Sequence, residues 1–565
     1  MMTRPRLGLV LLAGILFAGA CAEQPPDLLE NRWTYVSRSL REDSDVAEIQ
    51  GIVETAAKAG LNGILLSGGF REARFEEPDY LRRLDEVREI CDRNQMEIIP
   101  IFLSAGYGHG LDENPNLAAG LPVRDALFIV QGDEAQLRPD HEVILQNGDF
   151  EAATESGLTG FSSPETTGDV IHVDSSDVHS GKKALRFERF GEFPSEAGQL
   201  KQIVKLVPYR AYTLSAWFKT EGMDPPRPFS LGHIRLEVRG MPDGRRLQLL
   251  DPQIPTDTDW REFTVGFNSM KYEEVELSIG VATGEGGRFW IDDLKVEETG
   301  MASVLRRPGT PIKVQGEASG TTYEEGKDFA RIEDPGLNHR LDHAGPPIRL
   351  IEGSLIKDGE RLRVSWYHSL SLYRGQVSVC MSEPELFEIY RRVTELVDQH
   401  LSPGKFFLSM DEVRAGGSCA ACKAQGVPMG EILGRCLTKQ VELIRNVHPG
   451  AEVFTWSDML DPTHNSGRKF YYLVDGDFDQ SWNHVPKDLI MAIWGRRVRT
   501  KSFAHFSGLG FKTLGAAYYD TDDLEDIPGW LEVLKTTPGA TGVMYTTWLN
   551  KYELLPEFGR LLKEE

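Results

Sequence analysis

Cysteine is scarce: six residues in 565, too few for disulfides to be the main source of stability. Long apolar runs are scarcer still. The longest, Leu7 to Ala20, covers 14 residues, short of the ~20 that a membrane-spanning helix needs, and every later run is strand-sized and bounded by charge or glycine. No integral membrane span is expected. Positive charge is in deficit, 62 Lys plus Arg against 86 Asp plus Glu, and the formal charge of −24 repels phosphate backbones and anionic lipid. Nucleic acid is excluded as a natural partner on that ground. The 56 glycines are dispersed among turns, and no G-x-G-x-x-G follows a strand and opens a helix, so no nucleotide or redox cofactor is indicated.

What is present is the composition of a folded protein, with 40% hydrophobic and 9% aromatic residues, and a length that suits two to four domains at ~100–200 residues each. Arg4 and Arg6 ahead of the apolar run make residues 1–20 a signal peptide in form. The run ends Ala18-Gly19-Ala20-Cys21, which reads either as a small-x-small cleavage site or as a loose lipobox that would lipidate Cys21. Export to the periplasm, the cell surface or the medium is the expectation, with a lipid anchor at Cys21 as one form of it.

Residues 30–141 open with short apolar strands separated by helix-periodic stretches: WTYVSRSL, VAEIQGIVETAAKAG, LNGILLS, YLRRLDEVREICDRN, MEIIPIFL. The same alternation returns in residues 361–565, with strands KFFLSM, AEVFTWS, LIMAIW, TLGAAYYD and GVMYTTW. Early and late strands together make eight, which predicts a (β/α)8 barrel with its active site at the C-terminal strand ends. LRVSWYHS is a ninth candidate strand that blurs the register between the third and fourth. Residues 142–299 switch to period-two segments such as ALRFERF, AYTLSAWFKT and RFWIDDLKVEE, the pattern of an all-β insert, and residues 300–360, rich in Gly, Pro and charge, read as a connector.

Lys405 to Arg414 is the segment richest in chemistry: an apolar strand ending in Asp411 and Glu412, followed by Arg414. Two adjacent carboxylates at the end of a barrel strand face the site, where such a pair can move a proton and stabilise positive charge. Cys419 and Cys422 form a C-x-x-C pair that suits a local disulfide, half a zinc site or two free thiols; Cys380 and Cys436 complete four thiolates only if the fold gathers them.

The stretch Gln146 to Glu151, together with Phe289 to Leu294, resembles the opening and closing motifs of jelly-roll carbohydrate-binding modules attached to glycoside hydrolases. That resemblance implies a structural calcium held by Glu151 and Asp293. Asp411-Glu412 resembles the strand end His-x-Gly-Gly-Asp-Glu of the β-N-acetylhexosaminidase family of glycoside hydrolases. Matching segments run through the barrel in order: Glu97-Ile98-Ile99-Pro100, Cys380 to Glu385, Thr455 to Asp458, Tyr518-Tyr519-Asp520 and Thr547 to Asn550. The resemblance implies a carbohydrate substrate, Glu412 as the acid, Asp411 orienting a 2-acetamido nucleophile, and no cofactor for catalysis. It further implies Tyr518 or Tyr519 on the acetamido oxygen, Trp456, Trp494 and Trp548 boxing the sugar, and Arg414, Asp458, Asn550 and His109 on its polar groups. Phe407, Ser409 and Met410 depart from the pattern, and Met410 is expected to narrow the pocket; Ser104 to His109 stands where the family has D-x-P-G-H.

The leading reading is an exported glycosidase of N-acetylated hexosides working by substrate-assisted retention. The alternatives are a glycosidase of a non-acetamido or sulfated polysaccharide, and a non-catalytic glycan-binding surface lipoprotein.

Overall fold

The structure is a computed structural model that describes residues 29–564 apart from the short stretches 155–156, 164–167, 194–197, 225–233, 251–253 and 282–285. The expected signal peptide and Cys21 lie outside the described residues.

Eight parallel strands close into a barrel: β1 (Asn31–Ser37), β2 (Gly63–Ser67), β3 (Glu97–Phe102), β4 (Lys405–Leu408), β5 (Glu452–Trp456), β6 (Ile490–Ile493), β7 (Thr513–Ala517) and β8 (Ala540–Tyr545). β1 pairs with β2 at Trp33–Gly63 and with β8 at Trp33–Met544, which seals the ring and removes both sheet edges. Alternate strand residues turn inward. Trp33, Leu65, Ile99, Phe407, Phe454, Ile490, Leu514 and Met544 fill the interior as a packed plug, with Tyr35, Trp494 and Trp548 resting on it. Phe407 thereby has a structural task, its ring stacked against Phe454 and edge-on to Trp456 at 4.7 Å.

Helices cover the outside: α1 (Asp43–Ala59), α2 (Pro78–Arg93), α3 (Pro384–Leu401), the short α4 (Ala420–Ala424), α5 (Met429–Val447), α6 (Arg499–Gly508), α7 (Ile527–Thr536) and α8 (Leu555–Lys563). In α1, apolar Val46, Ile49, Ile52, Val53 and Ala56 recur at helical spacing and are buried. A capping box between Glu42 and Asp45 starts it, and Gly60 at φ +92 stops it. Between β5 and β6 the chain runs through residues 457–489 with short 3-10 turns at Asp458–Leu460 and Ser481–His484 and a two-residue strand, Leu473–Val474, paired with Ala415–Gly416, and this long link builds one wall of the site.

The inserted domain is two antiparallel sheets. One orders Gln199–Lys205, Glu274–Val281, Ile234–Gly240 and Arg245–Leu250; the other orders Thr258–Asn268, Ala211–Glu221, Arg288–Glu298, Ala184–Glu188 and Ile171–Asp174. Period-two burial along Ala211–Glu221 and the stacked Phe187–Phe289 pair, 4.5 Å apart, place its core between the sheets.

A third, six-stranded sheet was not anticipated. Arg361–His368 and Leu121–Gln131 pair antiparallel at its centre, flanked by Lys313–Gly316, Thr322–Tyr323, Glu134–Leu137 and Ile348–Arg349. LRVSWYHS therefore belongs here and not in the barrel, and residues 300–360 supply strands where the sequence suggested a plain connector. The pairing joins segments more than 200 residues apart, so no local pattern announces it.

Candidate active site

Beyond the C-terminal ends of the barrel strands lies a cavity of about 670 Å3 lined by Tyr107, Gln376, Asp411, Glu412, Arg414, Trp456, Trp494 and Trp548, among others. A second space of about 450 Å3 adjoins it and shares Arg71, Tyr107, Asp411, Trp456 and Trp548. The two form one cleft with Asp411 at its centre.

The backbone leaves β4 at Leu408, and Glu412 takes a left-handed conformation, φ +49, which non-glycine residues adopt only under constraint. The constraint is visible: the Glu412 N–H donates to Asp458 Oδ2 at 3.1 Å, and Gln376 Nε2 donates to the Glu412 carbonyl at 2.9 Å. The Glu412 carboxylate accepts from the Tyr107 hydroxyl at 2.5 Å and pairs with Arg414 Nη2 at 2.9 Å. Arg414 is buried, its guanidinium held over the rings of Tyr373 and Tyr472 at 4.6 and 5.1 Å. Burial lowers the proton affinity of that guanidinium, but the charge of Glu412 and neighbouring tyrosines outweighs it, and Arg414 stays firmly cationic.

Asp411 has a different environment. Its Oδ1 accepts from Ser409 Oγ at 3.2 Å, and no cation pairs with it among the described residues. Desolvation, reinforced by the negative charges of Asp458 and Glu412, pushes its carboxyl well above the ordinary aspartate range. Asp458 is fully buried and also raised, by desolvation first, and Asn465 Nδ2 donates to its Oδ2 at 2.7 Å. The site thus holds two desolvated carboxyls, Asp411 and Asp458, pushed toward the neutral acid, beside Glu412, whose carboxylate is engaged by a cation and a hydroxyl.

Trp548 rests against Tyr35 at 5.2 Å and Trp456 at 5.8 Å. Asp520 fixes its loop, accepting from Trp548 N at 2.8 Å, from Leu549 N and from Thr547 Oγ1. Trp494 packs edge-on to His464, and Trp456 is almost wholly buried. The three tryptophans named from sequence converge on the cleft.

Of the other named residues, Tyr518, Tyr519, Asn550 and Asp458 line neither space, and His109 borders only the second. The Tyr518 hydroxyl donates to Thr521 O at 3.1 Å with its ring stacked on Tyr545, and the Tyr519 hydroxyl donates to Ala516 O at 2.6 Å; neither lines the cavity. Asn550 is exposed at φ +58, outside the lining. His109 borders the second space, but it is buried, accepts the Leu103 N–H at Nδ1, and is pushed down by burial to about 3, so it is a neutral anchor of its loop. Met410 points away from the cleft toward Gln440 of α5.

Reading the sequence missed Tyr107, Gln376, Tyr373 and Arg71. Tyr107 had a signal, since it lies in the Ser104–His109 stretch just past β3, where a strand-end loop must face the site.

In the inserted domain Glu151 Oε1 accepts the N–H groups of Lys182 and Lys183, while Asp293 takes His179 Nδ1 at 2.6 Å and Ser180 Oγ at 3.0 Å. Both acids clamp the turn 179–183, and a calcium ion there would have to displace these donors.

Residues 143–283 match the family model described as a carbohydrate binding domain. No curated protein matches the chain. Among solved structures, a family 16 carbohydrate-binding module is 19% identical, covering 27% of this chain and 99% of its own with a TM-score of 0.21. A rhamnosidase from Novosphingobium sp. PP1Y is 10% identical over 96% of this chain and 59% of its own, with a TM-score of 0.35. A β-N-acetylhexosaminidase from Bacteroides fragilis NCTC 9343 is 12% identical over 32% of this chain and 40% of its own, with a TM-score of 0.25. A closed parallel barrel thus carries an inserted β-domain whose residues 143–283 match the model of a carbohydrate binding domain.

Proposed function

We propose that the protein is an exported glycoside hydrolase whose catalytic pair is Asp411 and Glu412, acting on hexosides bearing a 2-acetamido group. The observation that carries this reading is a pair of adjacent carboxyls in unlike environments at the floor of a cleft walled by Trp456, Trp494 and Trp548. Apolar ring faces suit the C–H face of a pyranose, and glycoside cleavage needs one proton donor and one anion.

We assign the proton to Asp411, against the family-derived expectation that Glu412 is the acid. Asp411 is the desolvated member, so it protonates the departing oxygen. Glu412, paired with Arg414 and hydrogen-bonded by Tyr107, orients the acetamido N–H and stabilises the positive charge developing at the anomeric centre. With Tyr518 and Tyr519 spent on backbone carbonyls, the acetamido group relies on this carboxylate and on the tryptophan walls.

The test is steady-state hydrolysis of aryl N-acetyl-β-hexosaminides by Asp411→Asn and Glu412→Gln, beside the matching non-acetylated glycosides. The expected result is that Asp411→Asn loses activity on poor leaving groups far more than on dinitrophenyl substrates, which need no protonation, while Glu412→Gln fails on both. The reverse pattern would return the acid role to Glu412. Turnover of non-acetylated glycosides at an equal rate would remove the acetamido requirement.

A further inference from the structure

Cys380 meets the C-x-x-C pair of Cys419 and Cys422, 39 and 42 residues further along the chain, behind the loop that carries Asp411 and Glu412. The sulfurs of Cys380, Cys419 and Cys422 lie 3.4, 3.6 and 3.6 Å from one another, and all three residues are buried. They are, among the described residues, the group of side chains close enough to share one ion. Cys436, which could have joined them on the sequence reading, lies instead on α5 outside the group.

We propose that these three thiolates hold one structural Zn2+ ion, independently of the proposed glycosidase activity. The near-equilateral triangle is the first argument. Zinc bound at ~2.3 Å to tetrahedral thiolates sets sulfurs about 3.8 Å apart, close to all three edges here, whereas a disulfide would draw two sulfurs to ~2.05 Å and leave the third as a stranded thiol. Charge is the second. Zinc with three thiolates carries one net negative charge, and buried Arg307 acts on Cys419 from beside the group, though its own pairing with Glu383 at 3.4 Å leaves it to offset that charge only in part. The third is an oxygen donor at hand: Ser382 Oγ lies 3.2 Å from Cys422 Sγ and is itself held by Gln425 Nε2 at 2.7 Å. Three protein thiolates leave the fourth tetrahedral position to a water, which this hydroxyl is placed to hold.

The position assigns the ion a task. Cys419 and Cys422 follow Arg414 by a few residues, and Cys380 follows the Gln376 loop that braces Glu412. An ion at the triad would staple the two loops that fix the carboxylate. None of the three cysteines lines the cleft, so its contribution is to position and not to touch substrate.

The experiment is metal analysis of the full chain, purified without chelator, by plasma mass spectrometry, together with the mass of the intact unfolded chain. One zinc per chain, retained in Cys91→Ser and Cys436→Ser and lost in Cys419→Ser, is the expected result. Should Cys419→Ser fail to fold, cobalt exchanged into the wild-type chain must give a thiolate-to-cobalt charge-transfer band in the near ultraviolet, and a mercurial titration must release the zinc. Sub-stoichiometric zinc, a mass two hydrogens light from a disulfide within the triad, or cobalt binding without that band would each overturn the proposal.

Discussion

Arg414 is the side chain on which the site's electrostatics turn, and removing it has a calculable cost. Arg414→Met deletes the 2.9 Å ion pair with Glu412 and the contacts over Tyr373 and Tyr472, while roughly preserving volume. Breaking a buried pair by removing one partner costs about 3–5 kcal/mol, because the other charge is left uncompensated. Here the Glu412 side chain is 23% exposed and keeps the Tyr107 hydrogen bond, so the lower end, about 3 kcal/mol, applies. At about 2–4 °C per kcal/mol, thermal unfolding of the barrel should fall by roughly 6–12 °C. Arg414→Lys keeps the charge, loses the planar stacking and should fall by about a third of that. The decisive comparison is Arg414→Met with Glu412→Gln in one chain: with no orphaned charge, much of the lost stability returns. Scanning calorimetry of the four proteins measures it. A single variant as stable as the wild type, or a double variant no better than the single, would refute the electrostatic reading.

Tyr107→Phe removes one charge-assisted hydrogen bond to Glu412; as Tyr107 is 48% exposed, water replaces part of it, and kcat/KM on an aryl glycoside should drop about tenfold, whereas an unchanged value would detach Tyr107 from the site. Asp411 binds its proton more tightly folded than unfolded, so its stabilising contribution is complete below the unfolded value near 3.8 and is lost as pH rises through the raised folded value. Asp411→Asn should therefore melt above the wild type at pH 8 and lose that advantage toward pH 4; a difference independent of pH would contradict the raised carboxyl. Arg245→Ala deletes donors to Tyr472 O at 2.6 Å and to Val474 O across the join between insert and barrel, and should split one calorimetric transition into two. A single unshifted transition would mean that the contact carries no coupling.

The barrel was legible because its strands are short apolar runs flanked by amphipathic helices, a signal contained within each segment. Asp411 and Glu412 were legible for the same reason: charge at the end of a buried strand is a local anomaly. The tryptophans were found because β5, β6 and β8 end at or just before them. The tyrosines were misplaced because register alone does not say which of Tyr518 and Tyr519 turns inward, and both spend their hydroxyls on nearby carbonyls. The third sheet was illegible because its central pair joins Leu121–Gln131 to Arg361–His368, and nothing in either segment names the other.

That unseen sheet accounts for the part of the cleft that barrel logic leaves out. His339, Tyr373, Arg374, Gly375 and Gln376 line the cavity, yet none of them is on a barrel strand end; they sit on loops either side of Arg361–His368. Gln376 Nε2 donates to both Gly106 O and Glu412 O, which ties the loop after β3 to the loop after β4 through a residue of neither. On the opposite side Arg245 and Arg246 of the insert reach the link after β5, where Tyr472 stands with Arg246 near one part of its ring and Arg414 near another. The inserted region therefore does more than append a separate β-domain. Its flanking strands and its docking edge support the walls around Glu412, and a barrel stripped of residues 121–368 would keep both carboxyls, Tyr107 and Arg414 but lose His339 from the lining and the Arg245 and Arg246 contacts that brace the link carrying Tyr472.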